Sequence, residues 1–275
     1  DGANRDYVVK ITNTGLPVVV INQPDGDVSW ENIGENVWSK ETDFDNVTAG
    51  QITIYKADGT LDLATATAMT RLRGNTTKDY PKKPFAVKLD KKAKVLGMPG
   101  HKRWVLLANW KDKSLMRNHI ALGVARIFSE QLGGAKKDAL KTDGIPWNVR
   151  GQFVEVVYNG VHIGNYYLCE QIKIDRNRLN ISAPYETKNA FSGNWRDYGY
   201  LLECDDYYDE TYKFTTDHRI PFMFKDDVDA GNVILPTIKN MILDLDSKIY
   251  KGYKGTSSTG YSDAYKLLDL ASVVD

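Results

Sequence analysis

Asn159-Gly160 stands between two alternating runs, Gln152 to Tyr158 and Val161 to Glu170, and no other short stretch restricts the fold as tightly. A two-residue Asn-Gly loop favours a turn with positive φ at both central positions, which joins neighbouring antiparallel strands. The chain must therefore contain an antiparallel sheet, and further strands are easy to find. Leu16 to Asn22 is a short β-branched run that reads as a buried strand, and Gln51 to Lys56 alternates before an Ala57 to Thr60 turn. Met69 to Gly74 is expected as a strand with Arg71 and Arg73 on one face, because strand side chains alternate. Lys83 to Leu89 is expected to return beside it, with Lys83 on the face of Phe85, Val87 and Leu89, and Lys82 and Lys88 on the wetter face. Trp104 to Ala108 is a further strand, and residues 24 to 50, rich in Asp, Asn, Gly and Thr, read as a long irregular connection.

One strong helix interrupts the strands. Asp112 or Ser114 can cap it, Met116, Ile120, Val124, Ile127 and Phe128 form an apolar stripe, and Gly133-Gly134 is expected to end it. The stripe is expected to pack across the sheet. Later, Gly199 to Asp206 reads as a strand ending in carboxylates, Val233 to Tyr250 as a helix, Gly252 to Ser262 as a loop, and Ala264 to Val273 as the start of another helix.

A formal net charge of zero hides a segregation of sign. Between Arg71 and Arg103 there are eleven basic residues against Asp79 and Asp90, and between Asp197 and Asp229 ten acidic residues against Lys213, Arg219 and Lys225. One stretch suits anions and the other cations, as a polyphosphate held with divalent metal requires, although two solvated faces would read the same way. Sustained nucleic-acid binding calls for a basic domain, and the neutral balance argues against it. Cys169 and Cys204 match no zinc or redox spacing and are expected to be buried free thiols, with a disulfide between them the alternative. The four histidines show no metal spacing, there is no Gly-x-Ser-x-Gly elbow, and no apolar run is long enough for a membrane span. The first residue is Asp1, which fits a removed signal segment.

Individual side chains leave two readings each. Lys83 either snorkels outward or meets an anion at a cleft edge, and Arg73 either offers its planar fork to phosphate or pairs with a surface carboxylate. Asp175 and Asn180 have the Asp-x-x-x-x-Asn spacing that kinases use for a base and a metal ligand, but Asp175 could equally brace the chain through Arg178. Trp195, Tyr198, Tyr200, Tyr207, Tyr208, Tyr212 and Phe214 lie among acidic residues, as a protein- or glycan-binding surface or as core and rim packing.

Leu16-Pro-Val-Val, Arg71-Leu-Arg-Gly-Asn75, Pro81-Lys-Lys-Pro84, Leu96-Gly-Met-Pro99 with Lys102 to Ala108, Arg117-Asn118, Glu170-Gln-Ile172 and Asp175-Arg-Asn-Arg178 occur in that order. Together they resemble the CotH family of spore-coat and secreted kinase-like proteins, from about residue 16 onward. The resemblance implies an α+β, protein-kinase-like fold: a β-rich small lobe with a packed helix, then an incomplete, mainly helical large lobe. It sets residues 1–15 as an extension, 16–172 as the small lobe and 173–275 as the beginning of the large lobe. It also implies phosphorylation of secreted, surface or coat proteins using ATP with Mg or Mn. Arg73, Lys83 and Glu170 are then expected at the nucleotide, Asp175 as the catalytic residue, and Asn180, Glu203 and Asp205 as metal ligands. The family's Trp-Asp-x-Asp metal segment would follow the helix near Asp263, and no Trp-Asp pair occurs here. The 275 residues alone are accordingly expected to bind nucleotide without turnover. The alternative is a non-catalytic protein- or glycan-binding module on a kinase-like scaffold, at the cell surface or secreted in either case.

Overall fold

The computed structural model describes residues 14–24, 44, 47–135, 147–181, 199–225 and 234–268. They form a mixed, strand-rich structure with few helices, divided into two compact units: Asp1–Ala121 with Arg150–Gln171, and Leu122–Val149 with Ile172–Asp275.

The first unit is a closed barrel of seven strands: β1 (Val18–Asn22), β2 (Gly50–Tyr55), β3 (Leu61–Leu72), β4 (Phe85–Val95), β5 (Met98–Leu107), β6 (Gly151–Tyr158) and β7 (Val161–Glu170), in the order β1-β2-β3-β4-β5-β7-β6. The Asn-Gly signal closes the β6–β7 hairpin, with Asn159 at φ 45° and Gly160 at φ 80°. Neighbours are antiparallel except at the closure, where β1 lies parallel to β6 with Val19 opposite Val156. Closure removes both sheet edges and turns one residue in two inward. The interior is filled by Val19, Ile21, Ile54, Phe85, Val87, Leu89, Trp104, Leu106, Val154, Val156 and Tyr166.

Two expectations are corrected here. The returning strand begins at Phe85, after Pro84, so Lys83 lies before the ladder and alternation does not set its direction. Pro84 lacks a backbone N–H and pushes its predecessor toward extended geometry, which places the strand start after it. The helix α1 (Arg117–Ala135) runs through Gly133 and Gly134, and its stripe is exposed: Ile120 by 55%, Ile127 by 50% and Phe128 by 47%. A barrel buries its own inner face, so no helix is needed to cover it.

The second unit contains a three-stranded sheet ordered β8 (Leu202–Glu203), β10 (Pro221–Phe224), β9 (Lys213–Thr215), followed by α2 (Ile234–Tyr253) and α3 (Gly260–Tyr265). Phe214, Phe224, Ile234 and Ile238 form its core, with Tyr200, Leu202, Tyr212 and Phe222 packed against it. A Cβ on Gly260 would stand 2.5 Å from the Gly252 nitrogen and 2.8 Å from the Lys248 carbonyl oxygen, so glycine lets α3 fold back on α2. A small sheet accompanies the two helices in the region expected to be mainly helical. The strand expected over Gly199 to Asp206 shrinks to β8, and α3 interrupts the expected Gly252 to Ser262 loop. Residues 269–273 of the last expected helix lie outside the described residues. Cys169 is buried as expected, whereas Cys204 is exposed. No helix among the described residues is long and apolar enough to cross a membrane.

Candidate functional site

The loop between β3 and β4 and the loop after β5 leave the barrel at the same end, because Leu72 pairs with Phe85 and Phe85 with Leu106. Between them lies a cavity of about 300 Å³ in the first unit. Its cationic lining comes from Arg73, Lys82, Lys111 and Arg117, against one carboxylate, Asp112.

Arg73 is positioned by its backbone. Its N–H donates to the Pro84 carbonyl at 3.1 Å, and the next residue, Gly74, has φ +86°. A Cβ on Gly74 would stand 2.0 Å from Thr77 Oγ1, so only glycine lets the chain turn tightly into the 3₁₀ turn Thr76–Asp79. Burial pushes the Arg73 pKa down, opposed by the Cys169 sulfur; the side chain is half-buried and pairs with no carboxylate among the described residues. A partly desolvated cation of this kind favours an anion that enters.

Lys82, expected on the wetter face, is half-buried instead. Its ammonium donates to the Asn165 carbonyl and sits 4.6 Å from the Tyr166 ring centroid. Burial lowers its pKa, with Glu155 opposing the shift. Lys83 takes another direction: its ammonium donates to the Lys78 carbonyl at 2.9 Å, and its own carbonyl accepts from Tyr166 at 2.9 Å. Lys83 is not among the residues lining the cavity.

The opposite wall is a self-bonded loop. Asn118 Nδ2 donates to Asn109 Oδ1 at 2.7 Å, and Asn109 Nδ2 donates to the Leu115 carbonyl at 3.2 Å. Asn109 and Leu115 are at φ 51° and 61°. Asp112 accepts from the Ser114 hydroxyl at 2.6 Å and from the Arg117 N–H at 2.8 Å, so both expected capping residues take part. These bonds, that from Ser114 foremost, hold the Asp112 carboxyl below its ordinary pKa. The loop thereby presents Trp110, 48% exposed, and Lys111, whose ammonium lies 4.9 Å from the Tyr80 ring centroid.

Three other cations of the basic stretch gather at one ring. Arg71 and Arg103 bring their guanidinium carbons within 4.9 and 4.2 Å of the Phe44 ring centroid, and Lys88 lies at 5.8 Å.

Glu170 is fully buried and engaged within the barrel unit: Arg150 donates to its oxygens from Nε at 3.0 Å, from Nη2 at 2.9 Å and from its backbone at 3.0 Å. In the second unit, Asp175 Oδ1 accepts from the Asn177 N–H at 2.9 Å, and a parallel bridge between Ile174 and Leu179 closes the turn, leaving Asn180 exposed just beyond it. Lys225 binds Glu203 at 2.5 Å and Glu210 at 2.9 Å. Asp205 accepts from the Tyr207 N–H at 3.2 Å. Among the described residues, no three His, Cys, Asp or Glu side chains gather around a point where a metal could sit. Of the acidic-region aromatics, Phe214, Tyr200 and Tyr212 belong to the second core, Tyr207 is exposed, and Trp195 and Tyr198 lie outside the described residues.

Residues 70–267 match the family model of CotH kinase proteins. The chain belongs to the CotH family. The match includes every residue of the cavity described above and extends through α2 and α3 to Leu267. No curated protein matches the chain. In this CotH domain, Arg73 among the residues singled out from sequence lines the cavity, together with Lys82, Trp110 and Lys111, which were not singled out for it. The one available signal for Lys82 was its place between Pro81 and Pro84, which argues against a strand across Lys82 and Lys83.

Proposed function

We propose that this CotH domain is the nucleotide-binding part of an ATP- and divalent-metal-dependent protein kinase acting on secreted, surface or coat proteins. The observation that carries the reading is the half-buried Arg73 guanidinium, paired with no carboxylate among the described residues, in a cavity lined by three further cations. In this reading the barrel unit serves as a kinase-like small lobe and the stretch from Ile172 onward as the start of a large lobe.

Arg73 offers two parallel N–H groups to phosphate oxygens, and Lys82 adds a point charge in the place expected for Lys83. Lys83 holds the loop through Lys78, and Glu170 holds Arg150. When bound, ATP supplies the phosphoryl group to be transferred. This chain's own residues neutralise its charge, exclude water from the barrel side and fix its approach. Asp175 remains the proposed base, with Asn180 beside it in sequence. A metal would need one or two carboxylates besides the phosphates, and Glu203, committed to Lys225, and Asp205, committed to its own turn, do not fit that role as they stand.

Thermal denaturation tests the reading. ATP at about 100 times its dissociation constant should stabilise the domain by about 2.7 kcal/mol, whereas a protein- or glycan-binding module should be indifferent to it. An unchanged melting temperature at millimolar ATP, with and without Mg or Mn, would count against the proposal.

A further inference from the structure

We infer that the corner where α2 meets α3 is a docking surface for an acidic polysaccharide, made of residues that take no part in the barrel cavity. Four tyrosines of this corner are left to solvent, with Tyr250, Tyr253, Tyr261 and Tyr265 exposed by 40 to 71%.

The rings are held in place. A Cβ on Gly252 would stand 3.0 Å from Tyr261 Cγ, so glycine lets the Tyr261 ring lie on the last turn of α2, and Tyr265 follows one turn later on α3. Tyr250 and Tyr253 bring their ring centroids to 6.4 Å. His218, from the turn between β9 and β10, stacks on Tyr250 at 3.6 Å, and Asp246 Oδ2, 2.6 Å from His218 Nδ1, fixes the imidazole in turn. An exposed ring braced from behind in this way is preorganised for a flat partner.

Charge selects that partner. The carboxylates of α2 and α3 are engaged, Asp244 by Lys248, Asp246 by His218 and Asp263 by Lys266. Lys251 and Lys254, both exposed, pair with no carboxylate among the described residues, and the Lys254 ammonium lies 5.5 and 5.6 Å from the Tyr250 and Tyr253 centroids. Rings interleaved with cations fit a chain of sugar acids: pyranose C–H faces rest on tyrosine, and sugar carboxylates meet lysine. The phenol hydroxyls, without a partner among the described residues, are open to sugar hydroxyls. A protein interface keeps lysine out of its aromatic core, whereas Lys254 stands among the rings. Two such lysines are few for a nucleic acid, whose affinity rests on neutralising many phosphates.

Isothermal titration of the whole chain with a galacturonate hexasaccharide decides the point, beside maltohexaose, hexathymidylate and vesicles of equal parts phosphatidylserine and phosphatidylcholine. The hexagalacturonate is expected to bind at least about tenfold tighter than the other three, and to weaken as salt is raised. Tyr253→Ala and Lys254→Ala should each weaken it by about fivefold or more at an unchanged melting temperature, since both side chains are exposed. No binding of hexagalacturonate, or equal binding of maltohexaose, would overturn the inference. Tighter binding of hexathymidylate or of the vesicles would overturn it in favour of a nucleic acid or a membrane. Loss of binding in Arg73→Ala with none in Tyr253→Ala would do the same by placing the polyanion in the barrel cavity. None of these outcomes depends on ATP binding.

Discussion

In the proposed function Arg73 is the side chain on which nucleotide binding would depend most, because it is half-buried in the cavity and pairs with no carboxylate among the described residues. Replacing it with alanine removes a partly desolvated charge along with the proposed phosphate contact. Arg73→Ala is therefore expected to weaken ATP binding by about 1.5 to 3 kcal/mol, the scale of a hydrogen bond to a charged group, while the melting temperature without ligand holds or rises. Calorimetry beside thermal denaturation checks both halves, and a fall in stability matching the fall in affinity would mean that Arg73 is structural. Lys82 and Lys83 separate similarly: Lys82→Ala should lower ATP affinity and Lys83→Ala should not, since the Lys83 ammonium is turned to the Lys78 carbonyl. A titration series on both variants would refute this if the losses came out equal or reversed. Burial of Lys82 gives a pH signature as well. Its folded pKa lies below the ordinary 10.5, so ATP affinity should decline as pH rises through that lowered value, before an ordinary lysine would titrate. Between the two values the unfolded chain binds more protons, so this group's contribution to stability rises with pH while affinity falls. Affinity that stays flat until pH 10.5 would remove Lys82 from the site.

At the scale of elements, two local devices hold the cavity. Gly74→Ala must fit a side chain at φ +86° against Thr77, so it should distort the β3–β4 loop and weaken ATP binding at least as much as Arg73→Ala. Retained affinity in Gly74→Ala would show that the tight turn is unimportant to the site. Glu170 belongs to the barrel in this account, since Arg150 grips it at 2.9 and 3.0 Å where β6 and β7 meet. Glu170→Ala leaves Arg150 without its carboxylate and should cost about 3 to 5 kcal/mol of stability, measured by urea denaturation, with ATP affinity of the folded fraction unchanged. A stable Glu170→Ala protein with lost affinity would restore Glu170 to the nucleotide.

The elements that could be read from sequence are those whose signal is local. Asn159-Gly160 carries its own turn geometry, Val18 to Ile21 is β-branched throughout, and Asp112 caps α1 from five residues away. Three features were not local. Closure of the barrel through the parallel β1–β6 pair joins strands about 136 positions apart, as the Gln23–Asn159 bonds show. β8 to β10 are two to four residues long, too short to carry a period. The inward turn of Lys82 depends on Asn165 and Tyr166 of a distant strand. The candidate site was legible as a place, the basic loop after β3, and as Arg73; which neighbouring lysine enters it was decided by tertiary packing.

For the molecule as a whole, the central claim is that a barrel made by antiparallel pairing and closed by one parallel pair presents, at one end, a cavity that binds nucleotide through its phosphates. Loops 73–84 and 108–116 hang from strands paired on both sides by barrel closure. A preformed cationic site of this kind loses little freedom on binding and should respond to salt, since counterions screen it. Isothermal titration of the whole chain with ATP, run in parallel on wild type and Arg73→Ala, tests the claim most directly. The account predicts one site in the wild type, weakening as salt is raised, and a loss of about tenfold or more in the variant. No binding by the wild type, or the same affinity in both proteins, would contradict it.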